Sequence, residues 1–238
     1  MTGRIDVLEQ IRTLIVSNAI APGERVNIDQ LSRRLGVSQT PVREALQHLE
    51  GDRLVVRDKN RGYTTTALLD ERGLANMFEV RLLIEPWTAS TVAVDRVGNP
   101  GRRMADEIEA YLAAQADAQN PRAELVAHDV RFHEIMLAAV DNPFLLDAYR
   151  SLHAHLHVFR LYPQDFDGTA TVGEHVAIAT AIAECRPRDA ADAMRAHLGS
   201  ALERFRSGMS GTAGAAGRGR ARVHHLGARG RRARRRLG

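Results

Sequence analysis

Apolar residues recur at helical spacing through the first fifty positions of the chain. In the segment IDVLEQIRTLIVSNA (5–19) they fall three and four residues apart, which predicts an amphipathic helix. A short helix over 28–35 follows and ends at Gly36, and a third helix over 39–50 begins after Ser38, a residue type that caps helices. The segments RLVVRD and RGYTTT then predict two short β-strands around a tight turn.

The chain from Asp70 onward carries helical patterns almost throughout. We predict six helices, separated by breaks at proline, glycine and asparagine, over 70–96, 101–118, 121–140, 143–161, 172–184 and 187–206. Six helices with short connections indicate an antiparallel bundle. Beyond Ser207, glycine, alanine and arginine replace the large apolar side chains, and a segment of that composition cannot bury enough surface to fold.

These elements predict a mainly α protein with two folded domains, which a chain of 238 residues is long enough to form. Residues 1–68 would form a winged helix-turn-helix, in which a β-hairpin follows three helices. Residues 70–206 would form an all-α antiparallel bundle, and residues 207–238 a disordered tail rich in arginine and glycine.

The formal net charge of +4 is unevenly distributed along the chain. Residues 1–66 hold ten basic and eight acidic side chains, and residues 67–206 hold 14 basic and 21 acidic ones. Residues 207–238 hold nine arginines and no acidic residue. The acidic bundle is therefore not a general nucleic-acid binder, and the two basic ends need separate explanations.

Nothing in the sequence pattern indicates export or a membrane. No apolar run approaches the ~20 residues that a membrane span needs, and MTGRIDVLEQ lacks the apolar core of a secretory signal. The single cysteine, Cys185, rules out an intrachain disulfide. We therefore expect a cytoplasmic protein without a membrane partner.

The order of elements in residues 1–68 predicts a DNA-binding domain, which we call the reader. In such a domain the recognition helix places its first residues against base edges in the major groove. The exposed positions at the start of that helix are Ser38, Gln39, Thr40 and Arg43. Hydroxyls suit phosphate oxygens, arginine can bind guanine bidentately, and glutamine can bind adenine in the same way. At the tip of the wing, Arg61 and Gly62 can approach the backbone or the minor groove.

Residues 5–66 resemble the DNA-binding domain of the GntR family of bacterial regulators. The resemblance rests on GVSQTPVREAL, which fits the family pattern GVSxTPVREAL, and on RGY in the wing. It implies DNA contacts by Ser38, Thr40, Arg43 and Gly62. It also implies a homodimer that binds a palindromic operator on double-stranded DNA.

Two positions depart from the family pattern. Most members have arginine where this chain has Gln39, and because glutamine prefers adenine, the operator half-site would differ from the family's common one. Arg53 stands before the wing where glycine is usual, and the loss of a turn glycine would cost some stability.

A second candidate site lies in the segment AHDVRFHEIML (127–137). Asp129 and His133 are four residues apart, so they share one face of the predicted helix. His175 and His197 each lie in a later amphipathic helix among apolar neighbours, so both would point into the bundle. Three imidazoles and one carboxylate suit a divalent ion such as Zn²⁺, Ni²⁺ or Mn²⁺. From spacing alone, buried hydrogen-bonded histidines remain the alternative.

Residues 74–200 resemble the FadR C-terminal domain (FCD), the helical effector domain attached to many GntR readers. FEVRLLIEP is similar to its opening helix, and DVRFHEIMLAAVDNPFL to its fourth-helix signature. EHVAIATAIAECRPRDAADAMRAHL is similar to its two closing helices. In the metal-binding branch of that family the ligands stand at the positions of Asp129, His133, His175 and His197, so the resemblance implies a divalent metal centre in a sensor domain.

A metal with open coordination positions can bind the carboxylate of a small metabolite, and a DNA-binding domain is fused to this centre. We therefore expect a small carboxylic acid as an effector that controls DNA binding, and a repressor and not an enzyme. Arg81 would hold the far end of that ligand, and an ion pair with Glu85 on its own helix is the equal alternative. Two other functions stay open. The ion itself could be the signal, or the protein could be a metal-dependent hydrolase.

An apolar stripe along the first helix of the bundle has two interpretations. Phe78, Leu82, Leu83 and Trp87 would belong either to the core or to a dimer interface. The sequence alone leaves both open.

Overall fold

The computed structural model describes residues 6–58, 62–116, 118, 120–154 and 168–221. Within these ranges the chain forms nine helices and one two-stranded sheet, which confirms the mainly α fold class. None of the helices in these ranges combines the length and the apolarity that a membrane crossing requires.

The N-terminal part begins with three helices, namely α1 (Val7–Val16), α2 (Ile28–Leu35) and α3 (Gln39–Gly51). Side-chain oxygens cap the first two, because Asp6 and Asn27 each accept hydrogen bonds from backbone N–H groups in the first turn. The apolar faces meet in one core, whose largest fully buried members include Ile11, Ile15, Leu46, Leu49 and Leu54.

A two-stranded antiparallel wing follows the third helix. Strand β1 (Val55–Asp58) pairs with β2 (Gly62–Thr65), with Val55 opposite Thr65. The loop before α2 joins the wing, since the backbone N–H of Val26 donates to the carbonyl of Tyr63 at 2.8 Å. This arrangement confirms the winged helix-turn-helix. Residues 59–61, and Arg61 with them, lie outside the described residues.

The rest of the chain forms a helical bundle. Its helices are α4 (Glu71–Ala93), α5 (Gly101–Gln115), α6 (Pro121–Ala138), α7 (Pro143–Arg150), α8 (Thr169–Ala183) and α9 (Pro187–Ala221). Helix α9 packs along α4 and α8, and α5 packs against α6 and α8. The approach of α5 to α8 is close, because a Cβ added at Gly101 would lie 2.5–2.7 Å from atoms of Ala183.

The length predicted for the helix over 143–161 is wrong. Helix α7 ends at Arg150, and His153 has a φ of +46°, a backbone conformation that cannot continue a right-handed helix. Residues 155–167 lie outside the described residues.

The last helix does not end at Ser207, where the sequence pattern predicts the beginning of a disordered tail. Helix α9 continues to Ala221, and Met209 packs against the bundle core, so apolar burial extends beyond the point where the sequence pattern ends. Residues 222–238 of the predicted tail lie outside the described residues.

Candidate metal centre and nucleic-acid interface

Four polar side chains converge in the interior of the bundle. They are Asp129 and His133 from α6, His175 from α8 and His197 from α9, and all four are buried. Each offers one ligand atom, and the four atoms lie within 4.8 Å of one another. The structure thus brings together all four residues that the sequence predicts as metal ligands.

The local sequence explains why these side chains face inward. On α6, a spacing of four residues puts Asp129 and His133 on one face. On α8, His175 shares its buried face with Ile178 and Ile182, and on α9 His197 lies on the same side as Met194. Three imidazole nitrogens and one carboxylate oxygen are a donor set that could hold a divalent metal.

His133 is held from behind by a carboxylate on another helix. Its Nδ1 lies 2.6 Å from Oε2 of Glu85 on α4, which leaves Nε2 facing Asp129 at 3.7 Å. Burial alone would lower the pKa of His133, but the charges of Glu85 and Asp129 outweigh it and raise that pKa to about 9. A divalent cation at Nε2 would take the place of the proton that the ring holds there.

Glu85 is in turn paired with Arg81, one turn earlier on the same helix. The Nε of Arg81 donates to Oε1 of Glu85 at 2.5 Å, and both side chains are almost fully buried. Burial would raise the pKa of Glu85, but the guanidinium of Arg81 and the ring of His133 together hold it well below its usual range. Glu85 is therefore a carboxylate anion shared between an arginine and a candidate ligand.

In the structure Arg81 forms an ion pair with Glu85, which the sequence offered as the alternative to a contact with the effector. Arg81 is 3% exposed, and its guanidinium carbon lies 5.2 Å from the centroid of the Phe78 ring. Burial raises the pKa of the buried Tyr149 on α7, and the positive charge of Arg81 opposes that rise. A direct contact between Arg81 and an effector stays a prediction.

His197 has a similar supporting carboxylate. Its Nδ1 lies 2.8 Å from Oε2 of Glu174 on α8, and both carboxylate oxygens of Glu174 accept hydrogen bonds from Arg204, at 2.6 and 2.8 Å. Burial raises the pKa of Glu174, but the hydrogen bonds from Arg204 and His197 outweigh it and lower that pKa to about 2. With Nδ1 engaged, Nε2 of His197 is the nitrogen left for the centre.

His175 has a different neighbour on its outer side. Its Nδ1 lies 3.0 Å from Nε2 of a fourth buried histidine, His128, whose own Nδ1 lies 3.1 Å from Oε1 of Glu107 on α5. The ring of Phe132 stacks on His175 with a centroid distance of 3.8 Å. Burial lowers the pKa of His175 and of His128, so both rings are neutral near pH 7.

Sequence reasoning missed these supporting residues. Glu85 appeared only as a possible partner of Arg81, and Glu107 and Glu174 were not singled out at all. Each lies on a different helix from the histidine that it serves, so no spacing along the chain marks it. A buried acidic position on an otherwise apolar helical face, as at Glu85, is the one signal that could have found such a residue.

Four of the predicted DNA-contacting residues lie close together at the beginning of α3. Ser38, Gln39, Thr40 and Arg43 are all exposed at the beginning of α3. The amide of Gln39 donates to the carboxylate of Asp29 on α2, and Nη2 of Arg43 donates to Oε1 of Gln39 at 3.3 Å. The amide group of Gln39 therefore links α2 to Arg43.

Gly62, the predicted DNA-contacting residue of the wing, is exposed at the beginning of β2. Its φ is +77°, a conformation that residues with a Cβ rarely adopt, while the space around it is open. The positive φ therefore favours glycine at this position, and no group of the described residues fills the space around it.

Comparisons with known proteins agree with the architecture of both parts. Residues 5–64 match the family model for bacterial regulatory proteins of the gntR family, and residues 76–200 match the FCD domain. The chain is 26% identical over 176 residues to the helix-turn-helix-type transcriptional regulator YdhC of Bacillus subtilis, covering 70% of this chain and 74% of that protein.

The chain is also similar to a second regulator in sequence and to a solved structure in fold. The chain is 26% identical over 186 residues to the Nta operon transcriptional regulator of Aminobacter aminovorans, covering 78% of this chain and 86% of that protein. A solved GntR structure from Rhodococcus sp. RHA1 superimposes with a TM-score of 0.67 at 20% identity, covering 84% of this chain and 96% of that chain. The latter likeness concerns the fold alone.

Proposed function

Since the chain belongs to the GntR family of bacterial regulators and carries an FCD domain, we propose that it is a metabolite-responsive transcriptional repressor. Residues 1–68 bind the operator. Residues 70–206 hold a divalent metal through Asp129, His133, His175 and His197, and a small carboxylate binds to that metal. The family is one of regulators and not of enzymes.

The convergence of four buried ligand atoms within 4.8 Å carries this proposal. Together with the single carboxylate of Asp129, a divalent ion leaves a local charge of about +1. The nearby carboxylates Glu85 and Glu174 are each neutralised by an arginine, Arg81 or Arg204. An anionic oxygen ligand at the open coordination positions of the ion completes the charge balance, which favours a carboxylic acid as effector.

The control of DNA binding requires that the DNA-binding and the non-binding state of the protein differ in their affinity for the effector. Helix α6 suits this coupling, because one face carries Asp129 and the other lies beside α1 of the reader. Val130 and Arg131 of α6 line, with Arg12 and Thr13 of α1, a cleft of about 470 Å³. A movement of α6 on effector binding would therefore reach the reader directly, and the family resemblance implies release of the operator.

The first test is the metal content of the full-length protein, purified without a metal-binding tag. We expect about one divalent ion per chain in the wild type and its loss in His133→Ala. His48→Ala is the matched control, because His48 is an exposed histidine on α3. If the wild type holds no ion even after soaking in Zn²⁺, Ni²⁺ and Mn²⁺, the four residues are polar core groups and the proposal fails.

The second test separates the effector from the ion. An operator is selected from a random duplex library, and fluorescence anisotropy then follows binding of the Zn²⁺-loaded protein in citrate, malate or lactate. Release by one of these carboxylates supports the proposal. DNA binding that responds to Zn²⁺ alone, and to none of the carboxylates, would instead identify the ion as the signal. Metal-dependent turnover of a bound compound would favour a hydrolase.

The third test concerns the reader. Arg43→Ala should lower the affinity for the selected operator to that for random duplex, because a bidentate arginine–guanine contact is worth ~1–3 kcal/mol and occurs in both half-sites. The control is Arg195→Ala, which removes an exposed arginine of α9. Retained sequence preference in Arg43→Ala would contradict the assignment of α3 as the recognition helix.

A further inference from the structure

The three histidines of the candidate centre are not supported in the same way. His133 and His197 each place Nδ1 against a carboxylate, Glu85 at 2.6 Å and Glu174 at 2.8 Å. Among the described residues no carboxylate lies at that position for His175, whose Nδ1 instead lies 3.0 Å from Nε2 of His128. The fourth histidine therefore stands where a supporting carboxylate stands for the other two.

The contacts of His175 fix the direction of the hydrogen bond between the two rings. Nε2 of His175 faces Asp129 at 3.4 Å and must be free of a proton to bind a cation. A neutral His175 then carries its proton on Nδ1 and donates it to Nε2 of His128. This order requires that Nε2 of His128 accept, so His128 carries its own proton on Nδ1.

The outer neighbour of His128 enforces the same tautomer. Nδ1 of His128 lies 3.1 Å from Oε1 of Glu107, which can only accept a hydrogen bond, and Nε of Arg131 donates to the same oxygen at 2.9 Å. Every donor in the chain from Glu107 through His128 to His175 is thus matched by one acceptor.

The position of His128 is also fixed mechanically. The side chain is fully buried, and its ring stacks on Tyr111 with a centroid distance of 4.4 Å and an interplanar angle of 19°. It contacts the side of the His175 ring that faces away from Asp129, so it is placed to support the ligand and not to join it. A polar group in such a buried setting is costly unless its hydrogen bonds serve the fold or a site.

We propose that His128 is a positioning residue of the metal centre, which holds His175 in the tautomer and orientation that present Nε2 to the ion. Glu107 sets the tautomer of His128 and so acts through it. Ligating histidines commonly donate their second N–H to a carboxylate or a carbonyl oxygen, and here that support passes through a second imidazole. The inference rests on the metal centre of the proposed function.

The test measures the affinity of the metal-free full-length protein for Zn²⁺ in competition with a chromophoric chelator. His128→Phe keeps an aromatic ring that can stack on Tyr111 but lacks both nitrogens, and we expect Zn²⁺ binding ~10–100-fold weaker. His128→Gln restores a side-chain oxygen that can accept the proton of His175, and we expect it to recover at least part of this loss. His48→Phe, at an exposed position of α3, is the control and should bind as the wild type does.

A second measurement separates positioning from general destabilisation. The visible absorption bands of bound Co²⁺ report the geometry of its ligands, and at saturating Co²⁺ they should shift in His128→Phe and return toward the wild type in His128→Gln. If His128→Phe does not fold, as judged by circular dichroism, Glu107→Ala takes its place, because it frees the tautomer of His128 at a position nearer the surface. That variant should also bind Zn²⁺ at least ~10-fold more weakly.

The outcomes distinguish this inference from the function on which it rests. Wild-type affinity and unchanged Co²⁺ bands in His128→Phe, or wild-type affinity in Glu107→Ala where that variant is used, would overturn the role of His128 and leave the metal centre intact. A wild-type protein that binds neither Zn²⁺ nor Co²⁺ would overturn the proposed function and this inference with it.

Discussion

Arg53 occupies a left-handed backbone conformation, with a φ of +56°, between α3 and the wing. Most residues with a Cβ pay ~1–2 kcal/mol for this region, whereas glycine adopts it freely. The family resemblance marks this position as one where glycine is usual, and the backbone gives the reason. A single residue thus carries strain that the turn imposes.

Arg53→Gly should therefore stabilise the protein, by about 0.5–1 kcal/mol once the greater freedom of glycine in the unfolded chain is subtracted. Urea unfolding of the two proteins measures the difference. Arg57→Gly is the control, because Arg57 lies in the extended strand β1, where glycine should destabilise. A less stable Arg53→Gly would show that the arginine makes contacts worth more than the strain.

Glu174 links the stability of the metal-free protein to pH. Its folded-state pKa of about 2 is below the usual 4.5, so it stabilises the fold at pH values above 4.5 and loses this effect as the pH falls toward 2. Glu174→Gln removes the titrating group. The gap in free energy of unfolding between wild type and variant should therefore narrow between pH 5 and pH 2.

Denaturant unfolding at several pH values checks this expectation. Glu203→Gln serves as the control, because Glu203 is an exposed side chain of the neighbouring helix α9. A gap that stays constant from pH 5 to pH 2 would mean that the ion pair of Glu174 with Arg204 contributes nothing specific to the folded state.

At the scale of single elements, α9 combines two kinds of sequence. Its first part carries buried apolar residues, the last large one being Phe205, whose ring lies 6.0 Å from that of Phe78 on α4. Its last turns contain five glycines between residues 208 and 219, each of which costs ~1 kcal/mol relative to alanine in a helix. The helix is therefore stabilised by packing at its beginning and not by its own propensity at its end.

Phe205→Ala should lower the free energy of unfolding by about 2–4 kcal/mol, since it removes a largely buried ring from the contact between α9 and α4. A chain that ends after Met209 should unfold within about 0.5 kcal/mol of the wild type. Thermal or urea unfolding measures both. A large loss on truncation would show that the glycine-rich part contributes to packing.

At the scale of the whole molecule, α4 has an apolar face that the described residues leave exposed. Leu83 and Trp87 are 73% and 52% exposed, one turn apart, and Val94 continues the same side of the helix. Phe78, which the sequence grouped with them, is fully buried and belongs to the core. We expect the exposed residues to form the interface of the homodimer that a palindromic operator requires.

Leu83→Glu combined with Trp87→Glu should therefore convert the dimer to a monomer, because two charges on each copy would be buried at the interface. Sedimentation or light scattering measures the mass, and operator affinity should fall in parallel. Phe144→Glu is the control, because it places a charge on an exposed apolar residue of α7. A double variant that remains dimeric would locate the interface on another face.

Local patterns determined the helices of this protein and which face of each is buried. The side-chain caps at Asp6 and Asn27 and the apolar spacing of α8 act within a few residues, so they can be recognised along the chain. The helical periodicity also places Asp129 and His133 on the same face of α6. The end of α7 was not predictable, because the left-handed conformation of His153 has no local sequence signal.

The tertiary structure alone decided what supports the candidate metal ligands. The partners of His128 and His197 lie 21 and 23 residues away along the chain, on other helices, at distances of 3.1 and 2.8 Å. Such a contact depends on how far one helix slides and rotates against the next, which is set by packing of the whole core. The periodicity of one helix specifies which of its residues face inward, but not which residue of another helix they meet.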